Sequence, residues 1–128
     1  SCVYRKEKIM CNKDDFNYIK KIIEFLSFDS STQQKMFPKG ILWNIASDVA
    51  NEWVYEYYER PIKNLLDNGV ITIDIAQKFK TICDNFADVS LNGIKFDPSI
   101  WTLEGFSNHT FWNQQRKLAK QLLEEISH

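Results

Sequence analysis

The chain has very little with which to interrupt a helix, and that limits its folds more than anything else. Among 128 residues there are four glycines and three prolines. Between those breaks, apolar residues return every three or four positions, the period of a helix with one face on a core. From about Lys13 to Leu26 the series Phe16, Ile19, Ile22, Ile23 and Leu26 keeps that period, and Asn12 or Asp14 can cap it. Ser27 to Thr32 reads as a polar link, followed by a short helical piece over Gln33 to Phe37. Pro38 and Gly40 then introduce the longest predicted element, from about Ile41 to Glu59. Pro61 ends or kinks it, because the ring disfavours helical geometry in the residue before it. Ile62 to Leu66 continues as a short helix, and Asp67-Asn68-Gly69 stops it.

Val70-Ile71-Thr72-Ile73 is β-prone but too short to anchor a sheet. Thr72 is placed to cap a helix with Asp74 in its first turn, where negative charge suits the helix dipole. Ile75, Ala76, Phe79, Ile82, Cys83 and Phe86 form its apolar stripe, and it ends before Asn92-Gly93. Ile94 to Phe96 is predicted extended. Asp97-Pro98 is a cap followed by proline at the first helical position, giving a short helix through Trp101 to Glu104 that Gly105 closes. Ser107 or Asn108 starts the last helix, which runs to about Ile126. Its buried side is Phe111, Gln115, Leu118, Ala119, Leu122, Leu123 and Ile126, with Trp112 at the edge. No repeat or low-complexity segment interrupts this pattern. The expected fold is all-α, a single-domain bundle of five to seven helices over residues 1–128.

Composition supports a packed domain. Aromatic residues reach 14% and hydrophobic residues 44%, a load that disordered chains do not carry. A chain of this length buries about two thirds of its unfolded surface, so it needs neither disulfides nor a structural metal. With 16 Lys+Arg against 17 Asp+Glu, the formal charge is −1, which argues against direct nucleic-acid binding by a cationic coat. No apolar run approaches the ~20 residues that span a bilayer, so no membrane association is expected. The start, Ser1 to Lys6, has basic residues with no apolar block after them and does not read as a signal peptide.

Cys2, Cys11 and Cys83 are an odd number, outside any Cys-x-x-Cys pair, and cannot form a closed disulfide framework. Unpaired thiols fit a cytoplasmic location. His109 and His128 are the only histidines, too few with these thiols for the three or four ligands that zinc takes, so no metal or other cofactor is expected. A Cys83–His109 nucleophile pair has no supporting local motif, and no catalytic signature is present. Cys83 on an apolar face reads as a small hydrophobe.

One predicted helix carries charge that its folding does not require. Placed on a helix at about 100° per residue, Leu42, Ala46, Val49, Trp53 and Tyr57 share a core face. Asp48, Glu52, Glu56 and Glu59 stack on another face, flanked by Asn44, Asn51, Tyr55 and Tyr58. No Lys or Arg occurs between Gly40 and Arg60. Like charges at such spacings cost a helix about 0.2–0.5 kcal/mol per pair. Asp48, Glu52, Glu56 and Glu59, with Tyr55 and Tyr58 as aromatic anchors, are therefore the candidate contacts for a cationic partner. Pairing of these carboxylates with Lys39, Lys63 or Lys78 in the fold is the alternative.

Other readings of the charges are weaker. Glu56-x-x-Glu59 matches the first half of the magnesium motif of helical nucleoside-triphosphate pyrophosphatases, but the second half is missing, because Asp84 and Asp88 are four apart. Di-iron bundles use Glu-x-x-His, which does not occur. The segment Arg5 to Lys21 holds six basic and three acidic residues, a weak basic face whose Phe16 and Ile19 serve the core.

The stretch Trp101-Thr102-Leu103-Glu104-Gly105-Phe106 is followed by Phe111-Trp112-Asn113-Gln114-Gln115-Arg116-Lys117-Leu118-Ala119-Lys120-Gln121-Leu122-Leu123. It resembles the carboxy-terminal helices of small immunity proteins from bacterial polymorphic-toxin systems, including contact-dependent growth inhibition. The resemblance implies a non-enzymatic function: neutralising one cognate toxin domain, usually a nuclease, by tight binding inside the producing cell. It carries over no contact residue. Under it, the acidic residues would mimic the phosphate charge that a basic nuclease site attracts. The alternative function is a helical adaptor or regulatory subunit that binds a host protein with no toxin involved.

Overall fold

A computed structural model describes residues 5–36 and 44–127, and the side chains from residue 12 onward within them. Seven α-helices occur among the described residues, and no strand. They are α1 (Arg5–Ser27), α2 (Ser30–Met36), α3 (Ile45–Asn51), α4 (Glu59–Asp67), α5 (Ile73–Val89), α6 (Leu103–Asn108) and α7 (Thr110–Ile126). Single 3-10 turns at Tyr55–Tyr57 and Pro98–Trp101 join them. The fold is all-α. Expectations for Cys2, Pro38, Lys39, Gly40, Ile41, Leu42, Trp43 and His128 fall outside the described residues.

Helix α7 lies at the centre, against α1, α5 and α6, and α1 also packs along α4. Two aromatic groups meet at Phe86. On one side Trp53 and Tyr58 both lie 5.0 Å from Phe79, with Tyr18 stacked 5.2 Å from Tyr58. On the other, Trp112 contacts Phe86, Phe106 and Phe111 at centroid distances of 5.3, 4.7 and 5.9 Å. Trp112 is fully buried rather than at the edge of its helix.

Short polar side chains start the helices. Asn44 accepts from Ser47 N (3.1 Å), Thr72 from Ile75 N (3.2 Å) and Thr102 from Gly105 N (2.9 Å). His109 Nδ1 accepts from Phe111 N (2.9 Å), so α7 begins two residues later than Asn108 would place it. Gly69 closes α4 with φ +70°. Its N–H reaches Leu66 O (3.1 Å) and that of Val70 reaches Leu65 O (2.8 Å), a glycine-ended Schellman stop.

The long helix expected from Ile41 to Glu59 is not formed. Helix α3 ends at Asn51, Val54 is extended (φ −83°, ψ 116°), and a new helix starts at Glu59. Pro61 accounts for the restart at Glu59 rather than a continuous helix to Leu66. In a helix running through to Leu66, it would leave Tyr57 O without a donor and push its ring into that carbonyl, at about 3 kcal/mol or more. Restarting at Glu59 puts Pro61 in the first turn, where no N–H is needed. The core side chains re-register accordingly. Trp53 stays buried, Tyr58 turns inward at 2% exposure, and Tyr57, assigned by spacing to the core, is 59% exposed.

Two further expectations change. Residues 94 and 95 form a turn rather than an extended segment. Gly105 does not end a helix but sits inside α6, where a Cβ would meet Ser99 O at 1.9 Å. Exchanging a mid-helix glycine for alanine normally stabilises by up to about 1 kcal/mol. Here Gly105→Ala should instead destabilise, by about 1–3 kcal/mol through backbone overpacking. Urea denaturation of the two proteins measures the difference, and a rise in midpoint would show that the 98–105 corner relaxes freely.

Candidate partner-binding surface

The acidic residues occupy three elements rather than one helix face. Asp48 lies in the first turns of α3 and is half-buried. Glu52 caps the C-terminal end of α3, Glu56 lies in the 3-10 turn, and Glu59 is the first residue of α4; these three are exposed. The turn is pinned from inside, where the Tyr58 hydroxyl donates to Glu52 O. Burial, with Tyr18 and Glu52 nearby, raises the Tyr58 pKa well above the usual phenol range. Tyr58 is thus a core residue and not a contact anchor, a correction to the sequence reading. The exposed aromatic of this turn is Tyr57. Tyr55 is half-buried, with Lys80 Nζ 5.4 Å above its ring.

The break changes the energetics as well. Repulsion between Glu52, Glu56 and Glu59 at helical spacings no longer applies. Asp48, Glu56 and Glu59 lie near the starts of their elements, where negative charge is favoured. Glu52 does not: a carboxylate at the C-terminal end of α3 opposes the dipole. None of the four carboxylates has an ion-pair partner among the described residues. The cations available nearby are engaged elsewhere. Arg60 bonds to Asp15 through both terminal nitrogens (3.1 and 3.3 Å), Lys63 pairs with Asp67 (3.1 Å), and Lys78 with Asp74 (3.0 Å) and Glu125. Internal neutralisation by Lys63 or Lys78 is therefore not what the fold uses, and Lys39 lies outside the described residues.

Apolar surface borders this acidic turn, and the sequence reading missed it. Leu91 and Ile94 are 75% and 86% exposed, and Phe96 is exposed as well. Leu91 and Phe96 line a groove of about 300 Å³ with Ser47, Asn51, Pro98 and Trp101. A second recess of about 300 Å³, lined by Asn51, Trp53, Glu56, Cys83 and Asp84, adjoins it through Asn51 and Trp101. The indole N–H of Trp53 is buried without a hydrogen-bond partner among the described residues. The signal in the sequence was Leu91-Asn92-Gly93-Ile94, apolar residues around a glycine stop and off any helical stripe.

Catalytic arrangements considered from sequence do not assemble. His109 spends Nδ1 on the α7 cap, and its Nε2 lies 3.5 Å from Asp97 Oδ2, so it does not serve Cys83. Glu56 and Glu59 belong to different elements, so no helical Glu-x-x-Glu pair exists. Among the described residues no group of three or more His, Cys, Asp or Glu is placed to hold a metal ion. No helix among them is long and apolar enough to cross a membrane. Comparison of the chain with protein-family models, with curated proteins and with solved structures finds no match.

Burial, with Asp84 and Glu56 nearby, pushes the Cys83 thiol up to about 12. In a Cys2→Ser/Cys11→Ser background, a disulfide-exchange thiol reagent at pH 8 should leave native Cys83 unmodified and label it fully once denaturant is added. Rapid labelling of the native protein would reveal an accessible thiolate and reopen a nucleophilic role.

Proposed function

We propose that this protein is an immunity-type inhibitor that binds and neutralises a cognate toxin domain, of the basic nuclease class, by protein–protein contact inside the producing cell. The observation that carries the reading is the set of exposed carboxylates at Glu52, Glu56 and Glu59 with no counter-ion among the described residues. Glu52 weighs most, since its own helix disfavours it. Like-signed charge on one surface speeds encounter with an oppositely charged partner about 10–10³-fold and orients it. Leu91 and Phe96, in the groove next to the recess that Glu56 lines, supply apolar area beside the acidic turn, the arrangement of an interface with a dry centre and a charged rim. Tyr57 replaces Tyr58 as the aromatic contact, beside Tyr55 and Asp48. The similarity of the last helix to those of immunity proteins supports the choice of partner class. A helical adaptor for a non-toxin protein would use the same surface.

The test is a tagged pull-down from source-cell lysate at low and high salt, read by mass spectrometry, with wild type beside Glu52→Lys/Glu56→Lys. Both side chains are exposed, so the variant should fold. Retention of one basic toxin fragment by wild type, with association slowed at least tenfold and a flatter salt dependence in the variant, supports the proposal. A non-toxin partner points to the adaptor. Unchanged affinity and salt slope with a toxin partner removes the acidic turn from the mechanism.

A further inference from the structure

A second charged region lies on elements that the acidic turn does not use. Arg116 of α7 is 6% exposed, and no carboxylate among the described residues lies within salt-bridge distance of it. Its Nε donates to Gln33 Oε1 (3.0 Å) and its Nη2 to Phe106 O (2.7 Å), while the guanidinium carbon lies 4.7 Å from the Phe106 ring centroid. Its other terminal nitrogen, Nη1, makes no hydrogen bond among the described residues and is not sealed from solvent. Both of its hydrogen-bond acceptors are neutral, and Asp29 favours its charged form only from beyond salt-bridge distance, so the buried cation is held in an expensive arrangement. Burial holds its pKa down at about 10, so the group remains a cation at neutral pH.

Arg116 lines a recess of about 340 Å³ together with Ser30, Ser107, Asn113, Lys117 and Lys120. Neither Lys117 nor Lys120 pairs with a carboxylate among the described residues. The acidic residue of the lining, Asp29, has an oxygen committed to Thr32 N (2.7 Å) and faces Arg116 and Lys120 electrostatically without a salt bridge. Ser107 Oγ accepts from Gln34 Nε2 (3.4 Å), which leaves its own proton to donate. The lining therefore offers three cations and two hydroxyls against one carboxylate.

We infer that this recess is a binding site for a phosphate group, held by Arg116, Lys117 and Lys120. Arginine and lysine together supply the fork and point charges that a phosphate takes up, and the serine hydroxyls add donors. The volume corresponds to about eleven waters at roughly 30 Å³ each, so an organic group esterified to the phosphate also fits. The site lies on α2, α6 and α7, apart from the acidic turn, and does not rest on the inhibitor reading.

The experiment titrates the full chain at pH 7 with inorganic phosphate, and separately with phenyl phosphate, at ionic strength held constant with sodium chloride. It follows the Arg116 Nε–H signal by ¹⁵N NMR and the thermal midpoint. A saturable shift of that signal with a rise in Tm is expected. In Lys117→Glu/Lys120→Glu, whose side chains are exposed and not needed for folding, the apparent affinity should fall at least tenfold. Tighter binding of the ester would identify an organic phosphate as the ligand type, and equal binding the free ion. A shift that is absent, that chloride reproduces at equal ionic strength, or that persists unchanged in the double variant overturns the site.

Discussion

Helix ends, long and short, leave backbone carbonyls without partners, and this fold answers that constraint with side-chain donors from other elements. The last four carbonyls of any α-helix have no intrahelical donor, so helices of six or seven residues are mostly ends. Gln33 Nε2 donates to Phe25 O and Leu26 O at the end of α1, at 3.0 and 3.1 Å. Trp101 Nε1 reaches Val89 O at the end of α5 (2.9 Å), Trp112 Nε1 reaches Ile100 O (2.9 Å), and Arg116 reaches Phe106 O in α6. Gln115 adds a bond from α7 to Ile82 O (3.0 Å) and receives one from Asn85. Each such bond contributes about 1 kcal/mol net, but stripping a donor from a buried carbonyl costs about 1–3 kcal/mol. Helix α7 is central because three of its buried residues, Trp112, Gln115 and Arg116, hold the carbonyls of other elements.

That arrangement explains what could be read from the sequence and what could not. The stripes of α5 and the leucine side of α7 were legible because burial follows the 3.6-residue period, and Thr72 and Gly69 were legible because caps have residue-specific chemistry. The all-α class followed from the same period. The polar interior was less so. Gln115 fell on the buried side by spacing, but Gln33 and Arg116 are buried through tertiary partners more than seventy residues apart in the pair they form. No local pattern distinguishes them from exposed polar residues.

The candidate surface was misread for a related reason. Residues 41–59 satisfy a helical wheel, with Ala46, Val49 and Trp53 on one side and Glu52, Glu56 and Glu59 on another. Periodicity alone cannot show that a proline two residues beyond the end demands a restart. The four-residue reach of the helical hydrogen bond can: Pro61 forbids a helix in which Tyr57 is an interior acceptor. Applied at that point, the rule places a helix start within one turn of Pro61, as at Glu59; the extended Val54 and the 3-10 turn before it separate Glu56 from Glu52 and leave Tyr58 inward and Tyr57 outward.

Two charges remain that the fold alone does not account for, and both sit where neutral residues would serve its structure better. A glutamine at position 52 would avoid opposing the dipole of α3. At position 116, a neutral donor could reach Phe106 O and Gln33 without the desolvation of a full cation. A guanidinium has five N–H groups, and the two acceptors engaged here leave donors over at Nη1 on a side chain that shares its recess with Lys117 and Lys120. The acidic surplus lies on the turn from α3 to α4, and the basic surplus lies between α2, α6 and α7. In a chain of net charge −1 they act as opposite poles rather than as a bulk charge. Under the proposed inhibitor reading, a cationic partner would be attracted by the acidic turn and repelled by the basic recess, which would restrict its orientation before any contact forms.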